Sequence, residues 1–310
     1  MRVHPPPSRP RALRPRARIA LVAPAGPIDP ERIERAAQCC RRLGLEPVVY
    51  PSATRRTGYL AGTDEERLAD LQGAFDDPKT DGVWTLRGGY GTLRILDRLK
   101  LARQRKDPIP FIGFSDHTTI HVRHAAIGVI SFHGPHPGAA FPPETEESFR
   151  SVLFSEDPPG VLPRRSGDPS PRTLVPGRAE GPLFGGNLAL LAALCGSRDA
   201  PNARRRILIL EDAGEPAYRV DRMLVQLERA GVFEGAAGLA FGRFTGSPDG
   251  QDDRTPQVID EFALRLGIPA VADLPFGHVD HNCTIPLGVR ALLDSHAATL
   301  SILEGGVKAS

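Results

Sequence analysis

A serine stands where a predicted strand passes directly into a predicted helix, within the segment FIGFSD at residues 111–116. In a parallel α/β sheet, functional sites form at the carboxyl ends of the strands. Ser115 at such a turn would expose its hydroxyl beside backbone N–H groups. This is the geometry of a nucleophile elbow, although the Gly-x-Ser-x-Gly pattern is absent. The segment alone also fits a structural role, in which Ser115 or Asp116 only caps the helix.

A glycine-rich turn, RGGYG at residues 87–91, follows the third predicted strand at its carboxyl end. Glycines let a backbone approach a ligand closely and present N–H donors, which could bind a phosphate or a tetrahedral oxyanion. The turn is not a P-loop, because no Gly-Lys-Ser/Thr follows, and it lacks the spacing of a dinucleotide fingerprint. A tight turn without any ligand is the alternative.

Two carboxylates and a histidine complete the set of groups that could take part in acid–base chemistry. Glu211 and Asp212 follow the apolar strand ILIL, and His278 follows a glycine in a loop. A carboxylate at a strand end can orient an imidazole or exchange protons itself. The carboxylates could instead begin a helix, where the helix dipole stabilises them, and a single loop histidine is often only solvated.

The other histidines suggest a metal site, but the sequence argues against one. His117, His121 and His124 have the i, i+4, i+7 spacing of one helix face, and His133 and His136 form an H-x2-H pair. No glutamate stands in an H-E-x-x-H frame, and the three-histidine face lacks a paired ligand cluster. We therefore predict neither a metal nor a cofactor.

The charge pattern argues against a nucleic-acid partner. The chain has 39 Lys and Arg against 37 Asp and Glu, and six of the arginines fall within the first 18 residues, which contain no acid. The remaining body is therefore mildly acidic. No apolar stretch is long enough to span a membrane, and no apolar segment follows the first charges as in a secretory signal. The four cysteines form no C-x-x-C pair, which favours reduced thiols in the cytoplasm.

The arrangement of elements predicts an α/β fold. Apolar strands alternate with helical segments of about ten residues, which predicts a parallel sheet with helices on both faces. At roughly 150 residues per domain, the chain should contain two domains. We predict four parts: a disordered basic tail over residues 1–17, a Rossmann-like domain over 18–155, a linker over 156–180, and a smaller mixed α/β domain over 181–310.

Eight short motifs follow one another along the chain, and together they resemble the LD-carboxypeptidase family of serine peptidases, which includes the microcin C self-immunity peptidases. They are VAPAG (22–26), GYLAGTD (58–64), RGGYG (87–91), GFSD (113–116), HGP (133–135), GGNL (185–188), LED (210–212), and GH (277–278) with PLG (286–288). The family commonly has tyrosine at the position of Phe114 and an apolar residue at that of His117. We expect His117 to face solvent from its helix, with a contribution to substrate choice as the alternative.

The resemblance implies a Ser–Glu–His triad made of Ser115, Glu211 and His278, with an oxyanion hole formed by the backbone N–H groups of Gly89 and Asp116. The physical requirements agree, because a serine hydroxyl needs a base, and a histidine base needs a carboxylate to hold its tautomer. The nucleophile would come from the first domain and its partners from the second. We therefore expect the active site in the cleft between them.

The resemblance also implies a substrate, a cytoplasmic murein tetrapeptide whose terminal D-alanine is removed from the L-centre of meso-diaminopimelate during peptidoglycan recycling. Arg87 is a candidate for binding the free carboxylate through bidentate geometry, with a structural ion pair as the alternative, and Tyr90 is a second substrate-binding candidate. A homodimer is the family expectation. Two alternatives stay open: a peptidase that cleaves a peptidyl- or aminoacyl-adenylate, and a peptide-binding module without activity.

Overall fold

The computed structural model describes residues 7–309 and contains two β-sheets with helices packed against them. In the first half of the chain, the elements are β1 (Arg18–Val22), α1 (Pro30–Arg42), β2 (Glu46–Val49), α2 (Asp64–Asp76), β3 (Gly82–Thr85), α3 (Thr92–Ile95), α4 (Ala102–Lys106), β4 (Phe111–Gly113), α5 (Thr118–Ala126), β5 (Ser131–His133) and α6 (Pro143–Leu153). In the second half, they are β6 (Gly160–Val161), β7 (Arg172–Val175), β8 (Arg178–Asn187), α7 (Leu188–Leu194), β9 (Ile207–Ala213), α8 (Ala217–Arg229), β10 (Gly238–Thr245), α9 (Thr255–Leu266), β11 (Ala270–Ala272), β12 (Ile285–Leu287), β13 (Arg290–Asp294) and β14 (Thr299–Ile302). Short 3-10 turns lie at Pro51–Thr54, Leu96–Arg98, Ser115–His117 and Gly250–Asp252.

The first sheet has six strands in the order β12-β5-β4-β3-β1-β2. Strands β1 to β5 are parallel, as their alternation with helices predicts, and β12 pairs antiparallel with β5. Local sequence signals set several helix ends. Helix α1 begins with Pro30 after Asp29, and Thr63 with Glu66 forms a capping box at the start of α2, in which each side chain bonds the other residue's backbone N–H.

The second sheet has eight strands in the order β6-β14-β13-β8-β9-β10-β11-β7. Strands β8, β9, β10 and β11 are parallel, and antiparallel strands extend the sheet at both edges. The predicted α/β class is therefore confirmed, with a mixed second sheet and a first sheet that is parallel except for the added strand β12.

The two sheets share their hydrophobic core. One cluster of buried side chains joins Phe111 of β4 and Ile120 of α5 to Leu188 of α7 and Leu208 of β9. Each of these side chains is almost completely removed from solvent, which contributes about 1.5–3 kcal/mol per residue. This common packing fixes the carboxyl end of β4 relative to that of β9, where the candidate triad residues lie.

The predicted disordered tail over residues 1–17 differs from the structure. Residues 8–17 lie against the fold: the Ser8 N–H donates to the carbonyl of Gly128 at 2.7 Å, and the Ala12 N–H donates to that of Lys308 at 2.9 Å. Leu13 is only 4% exposed. Arg11, Arg14 and Arg16 are exposed, whereas Pro10, Leu13 and Ala17 are buried, and the charge count alone does not reveal this pattern. Residues 1–6 of the predicted tail lie outside the described residues.

The predicted division of the chain also differs from the observed pairing of strands. The segment 156–180, which we predicted to be a linker, contains β6 and β7, and these form the two edges of the second sheet. Conversely, β12 belongs to the second half of the chain but pairs with β5 of the first sheet, with Ile285 opposite His133. The short strands at 156–180 escaped prediction because they are only two and four residues long. Within residues 7–309, no helix is long and apolar enough to cross a membrane.

Candidate active site

Ser115 lies on a sharp turn between β4 and α5. The buried strand ends at Gly113, and Ser115 begins the 3-10 turn that leads into the helix. Its φ is +62°, a left-handed backbone conformation that is uncommon for a residue other than glycine. Strain of this kind persists only where the surrounding structure enforces it, and it is the geometry of a nucleophile elbow. The predicted strand-to-helix turn at Ser115 is thus present.

Ser115, His278 and Glu211 form one chain of hydrogen bonds. The Nε2 atom of His278 lies 3.1 Å from Ser115 Oγ, and its Nδ1 atom lies 2.7 Å from Glu211 Oε2. Glu211 is fully buried within β9, whereas the side chain of His278 is 28% exposed. An imidazole with an N–H held on Nδ1 by a carboxylate presents an unprotonated Nε2 to the serine hydroxyl, which is the arrangement of a general base.

Glycine at position 277 allows His278 to reach the carboxylate. Gly277 has a φ of +111°, and a Cβ atom there would lie 3.0 Å from Glu211 Oε2. The loop is held in place because the Gly277 N–H donates to Asn282 Oδ1 at 3.0 Å, and the Thr245 hydroxyl donates to the His278 carbonyl at 3.2 Å. The glycine that marked this loop in the sequence is therefore required by a close backbone approach.

The electrostatics of the pair favour an ionised Glu211. Burial by itself raises the pKa of the Glu211 carboxyl, but the imidazoles of His278 and His133 outweigh that effect and lower the pKa to about 2. Burial lowers the pKa of His278, and the neighbouring Glu211 charge outweighs burial, so the pKa lies above its ordinary value. The carboxylate therefore stays charged at neutral pH and stabilises the imidazolium that would form when His278 accepts a proton.

Asp212 has a different role from its neighbour. Its Oδ1 accepts a hydrogen bond from Asn187 Nδ2 at 2.9 Å, and its Oδ2 accepts one from the Ala189 N–H at 3.0 Å, in the first turn of α7. Burial and the charge of Glu211 raise the pKa of Asp212 to about 6. Successive side chains of a strand point to opposite faces. Glu211 therefore contacts an imidazole, whereas Asp212 accepts a hydrogen bond from the start of a helix, so each residue has one of the two roles predicted for the pair.

The glycine-rich turn lies directly against Ser115. A Cβ atom on Gly88 would lie 2.8 Å from both Cβ and Oγ of Ser115 and 3.5 Å from the Asp116 nitrogen. The turn is held from the other side because the Gly26 N–H donates to the Gly88 carbonyl at 3.0 Å, and Gly89 has a φ of +106°. Backbone of this turn and of Asp116 therefore meets at Ser115, as an oxyanion hole requires.

Asp116 joins the turn at Ser115 to the end of the glycine-rich turn. Its Oδ2 accepts a hydrogen bond from the Thr92 N–H at 2.9 Å, and the Thr92 hydroxyl donates to the Asp116 carbonyl at 2.7 Å. Asp116 is completely buried, and burial raises the pKa of its carboxyl. The Asp116 carboxylate therefore caps the amino terminus of α3, the helix that follows the glycine-rich turn, and not that of α5.

Sequence reasoning missed a buried arginine that supports the same turn. The guanidinium of Arg67 is fully buried, and it donates to the Gly91 carbonyl at 3.0 Å and also to the carbonyl of Pro24 and the carboxylate of Asp64. It therefore joins α2, the VAPAG loop and the glycine-rich turn. On a charged helix such as α2, no feature of the sequence distinguishes this arginine from a solvated one.

The two predicted substrate-binding residues, Arg87 and Tyr90, belong to the glycine-rich turn itself. Arg87 is half-buried and donates from Nη1 to the carbonyl of Pro27, and no ion pair among residues 7–309 includes it. Tyr90 is 44% exposed, and its ring centroid lies 5.9 Å from that of Tyr59, which is 65% exposed. Arg87 therefore has donors left for a ligand, and Tyr90 belongs to an exposed aromatic pair.

The prediction that His117 faces solvent is wrong. His117 is completely buried, its Nδ1 lies 2.9 Å from the carbonyl of Phe114, and burial lowers its pKa to about 4. His121 Nε2 lies 2.8 Å from the Gly113 carbonyl, and His124 is equally buried. Helix α5 packs against β5, α7 and β8, and both of its histidines, His121 and His124, are buried. Within residues 7–309, no group of three or more His, Cys, Asp or Glu could hold a metal ion.

Comparison with known families agrees with this geometry. A model of the LD-carboxypeptidase N-terminal domain matches residues 19–134, and a model of the LD-carboxypeptidase C-terminal domain matches residues 180–293. The chain belongs to the LD-carboxypeptidase family. The first match includes Ser115, and the second includes Glu211 and His278, so the hydrogen-bonded chain of this family member joins the two matched regions.

Three relatives of this LD-carboxypeptidase family member illustrate the extent of the similarity. A putative carboxypeptidase of Streptomyces coelicolor is 42% identical over 303 residues, which cover 95% of this chain and 96% of that protein. The murein tetrapeptide carboxypeptidase of Pseudomonas aeruginosa is 33% identical, with 90% of this chain and 94% of that protein covered. The crystal structure of muramoyltetrapeptide carboxypeptidase from Oxalobacter formigenes matches with a TM-score of 0.78 at 31% identity, covering 93% of this chain and 99% of that one. These similarities support a peptidase with a two-domain α/β fold.

Proposed function

We propose that the protein is a serine LD-carboxypeptidase that removes the terminal D-alanine from the L-centre of meso-diaminopimelate in murein tetrapeptides, a step of peptidoglycan recycling. The observation that carries the proposal is the continuous hydrogen-bonded chain from Ser115 Oγ through His278 to Glu211, at 3.1 and 2.7 Å. The names of the Pseudomonas aeruginosa and Oxalobacter formigenes relatives support the choice of substrate.

In the first half of the reaction, Ser115 Oγ attacks the carbonyl carbon of the scissile amide while its proton passes to His278 Nε2. The carbonyl oxygen becomes an oxyanion, which the N–H groups of Gly89 and Asp116 stabilise, each donor supplying about 3 kcal/mol. When the intermediate collapses, the C–N bond breaks, and the proton on His278 passes to the nitrogen of the departing D-alanine. The remaining peptide is left as an ester on Ser115.

In the second half, water replaces the leaving amine. His278 Nε2 takes a proton from the water, whose oxygen attacks the ester carbonyl, and the same proton returns to Ser115 Oγ as the ester bond breaks. Glu211 stays ionised throughout, because it holds the N–H on Nδ1 and stabilises the imidazolium twice in each cycle. The products are D-alanine and the shortened peptide acid.

Arg87 supports recognition of a free carboxyl end. It adjoins the glycine-rich turn that lies against Ser115, and one of its donors is already fixed by the Pro27 carbonyl. A guanidinium held in this way can give its remaining N–H groups to the D-alanine carboxylate. Replacement by alanine should raise KM strongly while kcat changes less. An unchanged KM would exclude Arg87 as the carboxylate partner.

The deciding experiment follows D-alanine released from L-Ala-γ-D-Glu-meso-diaminopimelate-D-Ala by mass spectrometry. The purified full chain is compared with Ser115→Ala, each with and without EDTA. Release that survives EDTA and disappears in Ser115→Ala is the expected result. Release that persists in Ser115→Ala would refute the nucleophile, and no release from the folded wild-type protein would refute the substrate.

One observation favours the second candidate, cleavage of a peptidyl- or aminoacyl-adenylate. Such a substrate needs an aromatic surface for its base, and the exposed Tyr59–Tyr90 pair beside the glycine-rich turn offers one. Assaying a glutamyl sulfamoyl adenosine analogue as a substrate tests it, because its hydrolysis by wild type but not by Ser115→Ala would favour this candidate. The third candidate, a peptide-binding module without activity, predicts binding of the tetrapeptide without turnover.

The cellular setting and assembly state complete the proposal. A substrate that arises from internalised wall fragments places the enzyme in the cytoplasm, and the family resemblance favours a homodimer. Sedimentation at several protein concentrations tests the second point, with a species of twice the chain mass expected.

A further inference from the structure

One oxygen of the triad carboxylate faces a buried histidine outside the triad. Glu211 Oε2 bonds His278, and Glu211 Oε1 lies 3.7 Å from Nε2 of His133, the last residue of β5. His133 and Glu211 are both completely buried. Among the described residues, neither ring nitrogen of His133 nor Oε1 of Glu211 has a hydrogen-bond partner. Buried polar groups are rarely left unpaired, because each has given up its hydrogen bonds to water without a replacement.

The surroundings leave Glu211 as the carboxylate that His133 faces. The His133 ring packs against Phe114 at 5.7 Å between centroids and against Phe276 at 6.0 Å. The titratable groups nearest to it are Glu211 of β9 and His121 of α5, whose ring lies 6.4 Å away. His121 already uses its Nε2 on the carbonyl of Gly113 and its Nδ1 on Ser131, so it offers His133 no partner.

We propose that His133 is a positioning residue that donates an Nε2–H hydrogen bond to Glu211 Oε1 and so fixes the plane of the triad carboxylate. The step from 3.7 Å to hydrogen-bonding distance requires an approach of roughly 0.5–1 Å. Each oxygen of Glu211 then serves one imidazole, Oε1 for His133 and Oε2 for His278. The inference rests on the proposed function and assigns a task to the first residue of the HGP motif.

The consequence for catalysis is specific. Without the donor at position 133, Oε1 is unpaired in an apolar site, and the carboxylate can rotate about its last bond, so Ser115, His278 and Glu211 are held less firmly in the geometry of the transition state. The carboxylate also keeps more of its charge for the His278 proton, which should move the pKa of His278 upward. A reduced kcat with an acid limb displaced to higher pH follows, whereas KM should change less than about twofold, because His133 does not reach the substrate.

The test compares His133→Leu, which removes the donor, with His133→Gln, whose amide reaches the place of Nε2. His133→Leu should lower kcat by roughly 10–100-fold, the effect of losing a hydrogen bond to a charged group, and His133→Gln should restore it to within a few fold. His124→Leu is the matched control, because His124 is an equally buried imidazole that contacts the Ile120 carbonyl and Gln104 instead of the triad. If His133→Leu fails to fold, His133→Asn replaces it, since its shorter amide reaches only the place of Nδ1.

A second readout separates this inference from the proposed function. The NMR signal of the proton on His278 Nδ1 reports its bond to Glu211 without any substrate, and its titration midpoint should shift to higher pH in His133→Leu but not in His124→Leu. Equal losses of kcat in the two leucine variants, or an unshifted midpoint in His133→Leu, would overturn the positioning role. If the protein releases no D-alanine, the proposed function fails, but the NMR comparison still tests the positioning role of His133.

Discussion

Replacing Glu211 by glutamine tests whether His278 needs the negative charge of this carboxylate. The change keeps the size and shape of the side chain but removes the charge that His278 Nδ1 faces at 2.7 Å. Because Glu211 is completely buried, no solvent compensates for that charge. A glutamine can also present its NH2 group to the imidazole and thereby favour the wrong tautomer, with the proton on Nε2.

The structure gives the size of the effect. Lowering the pKa of Glu211 from 4.5 to about 2 corresponds to about 3 kcal/mol by which the folded protein prefers the carboxylate to the acid. Loss of that amount from the transition state would slow turnover by a few hundredfold, and the wrong tautomer extends the loss towards 10⁴-fold. We therefore expect Glu211→Gln to lower kcat/KM by about 10²–10⁴-fold.

The pH dependence has a definite sign. His278 accepts a proton only when it is neutral, so activity falls as the pH drops through its pKa. Glu211 raises that pKa, and its removal should move the acid limb of kcat/KM to lower pH while the plateau falls. By contrast, His133→Leu should move the limb to higher pH, so the two variants are distinguished by direction.

Initial rates of D-alanine release between pH 5 and 9 measure both quantities. Glu180→Gln serves as the control, because Glu180 is an exposed carboxylate paired with Arg290 on the second sheet. Its rate and limb should match those of the wild type. A Glu211→Gln enzyme within tenfold of the wild type, or with an acid limb at higher pH, would refute the assignment of Glu211 as the partner of His278.

Three further predictions concern the supports of the site. Gly88→Ala should abolish activity without unfolding the protein, because its Cβ would lie 2.8 Å from the nucleophile, whereas Gly73→Ala, whose Cβ meets only a ring carbon at 3.7 Å, should retain full activity in the same assay. Arg67→Met should lower the free energy of unfolding in urea by about 3–5 kcal/mol, because buried groups lose their donor, and the exposed Arg94→Met should cost at most about 1 kcal/mol; equal losses would contradict the role of burial. The folded protein raises the pKa of Asp212 from 3.8 to about 6, so the stabilising contribution of this residue is complete below pH 3.8 and falls as the pH rises towards 6. The difference in unfolding free energy between wild type and Asp212→Asn should therefore shrink by about 3 kcal/mol across that range. A difference that stays constant with pH would contradict the raised pKa.

The strand-to-helix turn at Ser115 could be predicted from local sequence, because a buried strand followed by a small polar residue has few alternatives. The partners of Ser115 could not be found in this way, since Glu211 and His278 are distant in the chain and follow no period. Only the order of several motifs, taken as a resemblance, brought them together. The distances that join them depend on the packing of two sheets, which no local pattern encodes.

The errors have physical causes of the same kind. The histidine spacing shows which residues could share a helix face, but it does not show that β8 packs against the turn that ends at His117 or that the ring of His136 lies 5.6 Å from that of His117. In the sequence, Arg67 cannot be distinguished from any other charged helix residue. Only the structure shows that its guanidinium donates to the carbonyls of Pro24 and Gly91. The packed segment before β1 has too few apolar residues to be recognised, although Leu13 is buried and backbone hydrogen bonds join the segment to the rest of the fold.

The return of β12 to the first sheet makes the two halves of the chain inseparable. His278 lies in the connection between β11, which belongs to the second sheet, and β12, which pairs with β5 next to His133. The position of His278 therefore depends on the register between a strand of one half of the chain and a strand of the other. A hybrid that joins the amino-terminal half of one family member to the carboxyl-terminal half of another must reproduce this antiparallel pairing, or it will contain the counterparts of Ser115, Glu211 and His278 without aligning them.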